Sequence, residues 1–290
     1  MTASVVVVGS ANVDQVFRVT AIPEPGETVL SNGFSTALGG KCQNHAVASA
    51  RAGASTAFIG ALGDDAFGAS IRAGLAVDGI DAGGVRGVDA PTGTALIAVD
   101  DSGENTIIVE AGANAMLELG DPDEAAIAAA RVLVLQLEIP LATATRAAVL
   151  ARAAGTLVVL NAAPIRELPT ELLDSVAILV VNEHEGSFLA RGGDVAALAP
   201  VVIVTLGAAG AVAYQGAGGG EIRVAAPAVS AVDATGAGDT FCGALAAVLA
   251  EGAPLDAAVR FAVAAASLSV QKHGAVPSIP TRAEIDRAQV

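Results

Sequence analysis

The residues best suited to chemistry stand in a glycine-containing turn between two aspartates. Residues 233–239 have the sequence DATGAGD, and an apolar stretch of helical composition follows at 241–250. Two glycines allow a sharp turn at a helix start, where unpaired N–H groups and the helix dipole bind anions such as phosphate. An aspartate at such a position is often only an N-cap. A carboxylate beside a phosphate also suits proton transfer or cation binding, so Asp233 and Asp239 are candidates for those roles.

A second glycine turn and the ends of several predicted strands supply further polar groups. Gly39 and Gly40 precede Lys41 and Asn44, which offer donors near a helix start. Open parallel sheets bind their ligands at the carboxyl ends of the strands. The residues in such positions are Asn12, Asp14, Glu138, Asn182, Glu185, Thr205 and Gly207. We expect these groups to line one ligand site.

Several common motifs are incomplete in the sequence. A Walker loop requires Gly-Lys followed by Ser or Thr, but Lys41 is followed by Cys42. The first predicted strand ends at Gly9 without the three glycines of a Rossmann fingerprint. Ser10 and Ser187 lack the elbow motif of serine hydrolases. We therefore expect neither a Walker-type nucleotide site, nor a Rossmann dehydrogenase, nor a serine hydrolase.

The histidines and cysteines do not indicate a metal or thiol site. His45, His184 and His273 share no zinc-ligand spacing, so we expect them to have surface or packing roles. Cys42 and Cys242 have no CxxC partner. We expect both cysteines to be small apolar fillers in a protein of a reducing compartment.

The elements that must position the candidate residues alternate between strands and helices. Apolar, β-branched runs typical of strands covered on both faces occur at 5–8, 56–59, 132–135, 157–160, 178–181 and 201–205. Helical patterns lie between or after them at 44–52, 67–77, 141–154 and 240–250. This alternation predicts an α/β fold with a mainly parallel sheet flanked by helices.

Two regions break this alternation. Residues 14–19 and 27–37, and later 93–100 and 105–110, alternate polar and apolar residues around Pro, Gly and Asp turns. We expect them to form antiparallel strands of a small accessory sheet, too slight to be a domain of its own. The prediction is a lid, within about 12–38 and 93–110, over one edge of a single domain covering 1–290.

Composition limits what the chain can bind. Its 290 residues carry a formal net charge of −15, with 53% hydrophobic and 3% aromatic residues. Nucleic acids and anionic membranes are bound through clustered Lys and Arg, so we expect neither as a partner. The apolar runs are shorter than the roughly 18 residues of a membrane span. Because the first residues resemble a strand rather than a signal peptide, we expect a cytoplasmic protein.

Taken together, the motifs resemble the ribokinase branch of the ribokinase-like (PfkB) sugar and nucleoside kinases. The resemblance extends from Gly9 to Pro280, nearly the whole chain. The matching segments are GSxNxD at 9–14, PGET at 25–28, GGKxxN at 39–44, GDDxFG at 63–68, GEN at 103–105, GAN at 112–114, QLE at 136–138, NExE at 182–185, TLG at 205–207, DATGAGDT at 233–240 and GAxPS at 274–278. The resemblance implies a three-layer α/β/α fold with a small β-sheet lid, and an ATP-dependent kinase that phosphorylates D-ribose.

The resemblance also implies a role for each matching residue. Asp239 would be the general base for the sugar's primary hydroxyl, and Gly236, Ala237 and Gly238 would form an anion hole for the transferred phosphoryl group. The implied sugar contacts are Asn12, Asp14, Gly39, Gly40, Lys41, Asn44, Glu138 and Asp239. The implied nucleotide contacts are Asn182, Thr205, Gly207 and Gly238, with Glu185 organising Mg²⁺ through water. An implied K⁺ site uses Asp233, Thr235, Ser269, Gly274 and Ser278, and the lid is expected to join two chains in a homodimer.

The sequence departs from the family pattern in three places. Cys42, Gln43 and His45 stand where ribokinases usually have Gly, Ala and Gln, beside the implied sugar contacts. Val263 stands near the implied adenine site, where Asn is common, and the stretch 185–201 is shorter than usual by about one helix. A related kinase acting on fructose, 2-keto-3-deoxygluconate or a nucleoside is therefore an alternative. A non-catalytic sugar-binding regulator on the same fold is a second alternative.

Overall fold

Two β-sheets organise the chain. The computed structural model describes residues 3–216 and 218–289, so positions 1, 2, 217 and 290 of the predicted domain lie outside the described residues. The strands are β1 (Val5–Val8), β2 (Asn12–Arg18), β3 (Gly33–Gly39), β4 (Thr56–Gly63), β5 (Asp81–Val88), β6 (Gly93–Val99), β7 (Asn105–Glu110), β8 (Val132–Leu135), β9 (Leu157–Asn161), β10 (Ile178–Asn182), β11 (Val201–Thr205), β12 (Ala211–Tyr214) and β13 (Glu221–Val224).

The larger sheet is mainly parallel. In the described residues it has nine strands in the order β13-β12-β11-β10-β9-β8-β1-β4-β5. All pairs from β11 to β5 are parallel, whereas β12 and β13 join one edge as an antiparallel hairpin. The carboxyl ends of the parallel strands therefore share one edge of the sheet, where β1 occupies an interior position. The mainly parallel sheet expected from the apolar runs is confirmed.

Helices cover both faces of this sheet. They are α1 (Lys41–Arg51), α2 (Ala66–Val77), α3 (Asp121–Ala129), α4 (Leu141–Ala154), α5 (Thr170–Ser175), α6 (Glu183–Ala190), α7 (Ala237–Ala250), α8 (Leu255–Ser269) and α9 (Arg282–Ala288). The four valines of β1 alternate between two separate cores. Val5 and Val7 pack in the core beneath α1, α7 and α8, and Val6 and Val8 pack in the core beneath α3 and α4. This alternation explains why a strand covered on both faces is a continuous apolar run.

The smaller sheet contains four strands, in the order β3-β2-β6-β7. The sequence analysis predicted antiparallel strands for this sheet. That prediction is wrong for one pair, because β2 and β6 are parallel. Between these two strands the chain passes through α1, β4, α2 and β5, so β6 enters the small sheet in the same direction as β2. A crossover of that length is what a parallel pair requires.

The strand expected at 27–37 is partly wrong. Only residues from Gly33 onward join the ladder, and residues 19–32 form no strand. Glu27 N donates to Glu24 O at 3.0 Å, so the chain still turns at the start of the predicted strand, directly after Pro23 and Pro25. The other predicted strands and helices are present, with ends displaced by a few residues. No helix in 3–216 or 218–289 has the length and apolar character needed to cross a membrane.

Candidate active site

The glycine turn at 236–238 starts helix α7, as the sequence predicts. Gly236 is the N-cap, with φ of 73°, a left-handed conformation that favours glycine. A Cβ atom there would lie 3.0 Å from the Cβ of Ala275, so the turn is also tightly packed. In the described residues, neither Gly238 N–H nor Asp239 N–H donates to a protein acceptor outside the helix. Two free donors at the positive end of a 14-residue helix can bind an anion, as predicted for this turn.

Asp239 lies in the first turn of α7 and is buried. Its Oδ2 accepts a hydrogen bond from Asn44 Nδ2 at 2.8 Å, and its Oδ1 lies 3.4 Å from Nε2 of His45. Burial acts to raise the pKa of this carboxyl, but His45, the Lys41 ammonium group and Asn44 outweigh it and lower the pKa to about 2. The carboxylate is therefore ionised throughout the neutral range and is available to accept a proton.

Close packing of α1 against α7 brings Asn44 to Asp239, which is 195 positions away in the chain. Gly243 permits this approach, because a Cβ atom there would lie 2.5 Å from Ala48 Cβ and 2.9 Å from Ser49 N. The Ser49 hydroxyl also donates to the carbonyl of Gly243 at 2.9 Å. A glycine in the middle of a helix costs conformational entropy, and here it sets the distance between the two helices that carry the site.

The exit of β1 is held by a network of side-chain hydrogen bonds. Ser10 Oγ donates to Glu138 Oε2 at 2.6 Å and lies 2.5 Å from Nε2 of Gln136. Asn114 Oδ1 accepts from Ala11 N, and Asn114 Nδ2 donates to Asn12 Oδ1 at 2.8 Å. Buried polar groups that are fully paired in this way are rigid. The network therefore fixes Asn12 and Glu138 at the edge of the sheet.

Asp14 is a carboxylate without a donor. It stands on β2 and accepts no hydrogen bond from the described residues. Burial, followed by the nearby charges of Glu138 and Asp239, raises its pKa to about 6. Gly39 pairs with Asn12, two residues before Asp14 in β2, and a Cβ atom at Gly39 would lie 2.6 Å from the Asp14 carboxyl carbon. The site thus keeps space beside a carboxylate that lacks hydrogen-bond partners.

Lys41 is the cation of the site and begins α1. It follows Gly40, whose φ of 92° and close approach to the backbone of residues 11 and 12 exclude other residues. Burial acts to lower the pKa of Lys41, but the charges of Asp239, Glu138 and Glu185 outweigh it and raise the pKa. No carboxylate of the described chain forms an ion pair with it. The ammonium group is therefore charged and free to bind an anionic ligand.

A second group of polar residues lies where β10 and β11 end. Asn182 and Thr205 are register partners at the ends of these strands, and Gly207 follows with φ of 54°. Asn182 and Glu185 form a capping box at the start of α6, with both hydrogen bonds at 2.8 Å. Glu185 Oε1 accepts no hydrogen bond from the described residues. One oxygen of this buried carboxylate is therefore free to bind a water molecule.

Asp233 connects two loops next to the start of α7. Its Oδ1 accepts from Thr235 N at 2.9 Å, and its Oδ2 accepts from Gly274 N at 2.8 Å. Burial acts to raise the pKa of Asp233, but these hydrogen bonds and the nearby His273 lower it. Ser269 and Ser278 direct their hydroxyls to the carbonyls of Ala266 and Ala275. These side-chain oxygens are thus already hydrogen-bonded within the loops, and as oxygen ligands they suit a hard cation better than zinc.

Comparison with known proteins places the chain in a family. The model of the pfkB family carbohydrate kinases matches residues 2–282. The chain belongs to this family. It is 40% identical over 301 residues to ribokinase of Haemophilus influenzae and 38% identical over 308 residues to ribokinase of Schizosaccharomyces pombe. These alignments cover 98% of this chain, and 97% and 96% of the relatives.

A solved structure of a pfkB-family relative agrees with the whole fold. The structure of Arabidopsis thaliana ribokinase complexed with ribose and ATP superimposes with a TM-score of 0.93 at 36% identity, covering 99% of each chain. The resemblance to ribokinases and the α/β fold with its small-sheet lid are therefore confirmed. The findings do not favour the alternative kinases or the non-catalytic regulator.

The structure brings most predicted site residues of this pfkB-family chain into one region. Asp239 is hydrogen-bonded to Asn44 and attracts the charge of Lys41, and the charges of Glu138 and Asp239 act on both Asp14 and Lys41. Of the nucleotide-side residues, Glu185 lies near enough to Lys41 for its charge to raise the pKa of that ammonium group. In the part of the chain that is described, no cluster of three or more His, Cys, Asp or Glu is arranged for a metal ion.

Sequence reasoning assigned no role to four residues that shape the site. Ser10, Gln136 and Asn114 lie within matched motifs and form the network at the β1 exit. His45 is fully buried, which agrees with a packing role, one of the two expected for it, but its contact with Asp239 was not predicted. Two sequence signals pointed to it: its place beside the implied sugar contacts, where ribokinases usually have Gln, and its position four residues after Lys41, one helical turn along the same face of α1. Both cysteines are buried and free, as predicted.

Proposed function

We propose that this protein is an ATP-dependent kinase that transfers the γ-phosphoryl group of ATP to the 5-hydroxyl of D-ribose. The observation that carries the proposal is the placement of an ionised Asp239 at the start of α7, directly beside the free N–H groups of Gly238 and of Asp239 itself. A base and an anion site are thereby adjacent. Ribokinase relatives along the full chain, and the relative solved with ribose and ATP, support the choice of substrates.

In this proposal the sugar binds where the carboxyl ends of β1 and β8 meet strand β2 of the small sheet and the start of α1. Asn12, Asp14 and Glu138 offer acceptors for sugar hydroxyls, while Lys41 and Asn44 offer donors. Gly39 and Gly40 allow a ligand to approach the backbone, since neither carries a side chain at a crowded position. A sugar hydroxyl would supply Asp14 with the hydrogen bond that it lacks in the protein. The raised pKa of Asp14 is therefore consistent with a ligand site rather than a structural one.

The reaction we propose is a direct in-line displacement. The 5-hydroxyl oxygen attacks the γ-phosphorus, the bond to the β–γ bridging oxygen breaks, and ADP leaves. Asp239 accepts the hydroxyl proton, and the turn of Gly236, Ala237 and Gly238 presents the free N–H groups of Gly238 and Asp239 to the charge on the transferred group, because the N–H of Ala237 already donates to the carbonyl of Ala234 at 3.2 Å. A carboxylate with a pKa of about 2 is a weak base. It is adequate when the proton moves late, as in a loose phosphoryl-transfer transition state.

We propose two cations for this enzyme. Asn182, Thr205 and Gly207 would contact the nucleotide, and the free oxygen of Glu185 would hold a water of Mg²⁺. When bound, Mg²⁺ neutralises charge on the triphosphate. K⁺ would bind to carboxylate, carbonyl and hydroxyl oxygens close to the anion site. The residues proposed to supply them are Asp233, Thr235, Ser269, Gly274 and Ser278. K⁺ would stabilise the geometry of the turn at Gly236.

We also propose that the lid joins two chains in a homodimer. Strand β7 is an edge strand whose residues are all exposed, and Ile107 and Ile108 are 53% and 63% exposed. Phe34, on the opposite edge, is 56% exposed and packs against Phe17 with ring centroids 4.9 Å apart. An exposed apolar surface on a short open sheet is typical of an interface. The second chain would cover it.

The cytoplasm is the location that we propose. Cys42 and Cys242 are buried and free, which suits a reducing compartment. The acidic net charge of −15 gives no basic surface for nucleic acid or anionic lipid. The partners are therefore expected to be the sugar, ATP and a second copy of this chain.

Substitution of Asp239 by Asn tests the proposed mechanism. We expect kcat for ADP release with D-ribose to fall by about 10²–10⁴-fold, because the base is lost while the shape is retained. Asp256→Asn is the matched control, since Asp256 occupies the first turn of α8 but lies on the surface. Near wild-type turnover by a folded Asp239→Asn protein would contradict the mechanism.

The substrate and the cations are tested with the wild-type protein. We expect D-ribose to give the highest kcat/KM in an ADP-release assay over pentoses, fructose, 2-keto-3-deoxygluconate and nucleosides. Turnover should require Mg²⁺, stop with EDTA, and fall when NaCl replaces KCl at equal ionic strength. A preference for another substrate would overturn the assignment to ribose, and equal rates in Na⁺ and K⁺ would overturn the proposed K⁺ site.

A further inference from the structure

A buried histidine stands behind the proposed base. His45 has no exposed surface, and its Nε2 lies 3.4 Å from Oδ1 of Asp239. Nε2 has no well-formed hydrogen bond to any described residue. The carboxylate is therefore the polar group that can satisfy this ring nitrogen, and an unpaired buried nitrogen is costly.

The other ring nitrogen faces a thiol. Cys42 Sγ lies 3.7 Å from Nδ1 of His45 and 3.3 Å from the carbonyl oxygen of Val8. Burial, followed by the charges of Glu138 and Asp239, raises the pKa of Cys42 well above its usual range, so the thiol keeps its proton. Nδ1 thus faces a neutral sulfur atom, whereas Nε2 faces a carboxylate.

These surroundings decide which ring nitrogen carries a proton. If Nε2 were bare, its lone pair would point at the negative oxygen of Asp239, and both groups would be buried acceptors without a donor. If Nε2 carries the proton, it donates to Oδ1. Nδ1 then faces the Cys42 sulfur atom, whose single S–H can go to Nδ1 or to the nearer carbonyl oxygen of Val8. A proton on Nε2 therefore gives a partner to both His45 Nε2 and Asp239 Oδ1.

We propose that His45 is a positioning residue for Asp239, holding Oδ1 through Nε2–H while Asn44 holds Oδ2. This inference rests on the proposed role of Asp239 as general base. With both oxygens held by α1, the plane of the carboxylate is fixed relative to the anion site at the start of α7. Alignment of a base contributes to rate because it is needed mainly in the transition state.

The burial of His45 predicts which kinetic constant responds. A fully enclosed side chain does not touch bound sugar or nucleotide, so its loss should leave KM for D-ribose nearly unchanged. Misalignment of Asp239 should instead lower kcat. If His45 only filled space, any side chain of similar volume at this position would retain the wild-type kcat. A fall in kcat with such a side chain would therefore indicate that the hydrogen bond to Asp239 matters.

Three variants test the proposal. We expect His45→Leu, which removes the donor at similar volume, to lower kcat by about 10- to 100-fold with KM for D-ribose within about twofold. His45→Gln, whose amide nitrogen reaches the position of Nε2, should retain kcat within about threefold. Val47→Ala is the control, because Val47 is buried on the same helix outside the site. It should lower stability without lowering kcat.

A second measurement does not depend on turnover. The chain has three histidines, and His184 and His273 are exposed, so long-range ¹H–¹⁵N spectra of the wild-type protein can be assigned by the loss of one ring system in His45→Gln. We expect Nε2 of His45 to be protonated. A neutral ring protonated on Nδ1, or unchanged kcat in His45→Leu, would overturn the proposal. A wild-type protein that does not phosphorylate D-ribose would refute the proposed function, while the spectra would still report the His45–Asp239 contact.

Discussion

The ionised carboxyl of Asp14 is expected to lower the free energy of unfolding of the ligand-free protein. Its pKa rises from 3.8 to about 6 because it is buried beside other carboxylates and has no hydrogen-bond donor. Asp14→Asn keeps the size of the side chain and removes the charge. We therefore expect this substitution to raise the free energy of unfolding at neutral pH, although it removes a proposed contact to the sugar.

The magnitude follows from the linkage between proton binding and folding. A shift of one pKa unit corresponds to about 1.4 kcal/mol, so a rise of about two units gives an upper value of about 3 kcal/mol. Between pH 4 and 6 the folded protein binds more protons at Asp14 than the unfolded chain, so stability falls as pH rises through this window. Asp14→Asn should be more stable than wild type by about 1–3 kcal/mol at pH 8. The difference should disappear near pH 4.

Urea unfolding followed by circular dichroism measures this difference at pH 4, 5, 6, 7 and 8 without ligands. Asp65→Asn is the matched control with the opposite sign. Asp65 caps α2, and hydrogen bonds from Thr92 and Gly68 outweigh burial and lower its pKa. Its substitution should destabilise the protein at neutral pH, and the loss should shrink below about pH 4.

Two outcomes would refute the reasoning about Asp14. One is an Asp14→Asn protein that is less stable than wild type at pH 8. The other is a stability difference that does not change between pH 4 and pH 8. Either result would mean that Asp14 is stabilised as a carboxylate in the free protein.

Three further predictions concern the packing around the site and the lid. Gly243→Ala should lower the unfolding free energy by about 1–3 kcal/mol, because its methyl group overlaps α1; urea unfolding measures the loss, and an unchanged midpoint would contradict it. Gly236→Ala should lower kcat strongly and Tm only slightly, because a side chain at position 236 is strained at φ of 73° and meets Ala275. An unchanged kcat would argue against the anion site. Phe34→Asp should convert the proposed dimer to monomer in sedimentation analysis, whereas a monomeric wild type would remove the basis for the interface.

The sequence alone determined the main features of the fold and the central residue of the site. Valines at 5–8 identified a doubly covered strand, because burial on both faces leaves no polar position in the local pattern. The DATGAGD turn identified the start of α7, since glycine and a following apolar run have direct local consequences for the backbone. That turn made Asp233 and Asp239 candidates for proton transfer or cation binding, and the family resemblance selected Asp239 as the base, a role that stays a prediction. The roles implied by family resemblance for the nucleotide and cation residues stay predictions.

Features of the fold that have no local sequence pattern were harder to predict from the sequence. Strand β5 contains two adjacent glycines and a half-exposed edge, so its sequence shows no apolar alternation. Residues 19–32 lie outside the ladder, although part of this stretch resembles a strand. The parallel pairing of β2 with β6 depends on the path that the chain takes between them.

Only the tertiary structure decided which polar groups meet. Asn44 reaches Asp239 because Gly243 lets two helices approach, and nothing in the neighbourhood of either residue reports that contact. The raised pKa of Asp14 and the contact of His45 with Asp239 likewise arise from groups brought together by folding. Local sequence determines backbone conformation through sterics and periodic burial, whereas a side chain's electrostatic surroundings come from segments distant in the chain. The chemistry of the site therefore depends on packing that the sequence specifies only as a whole.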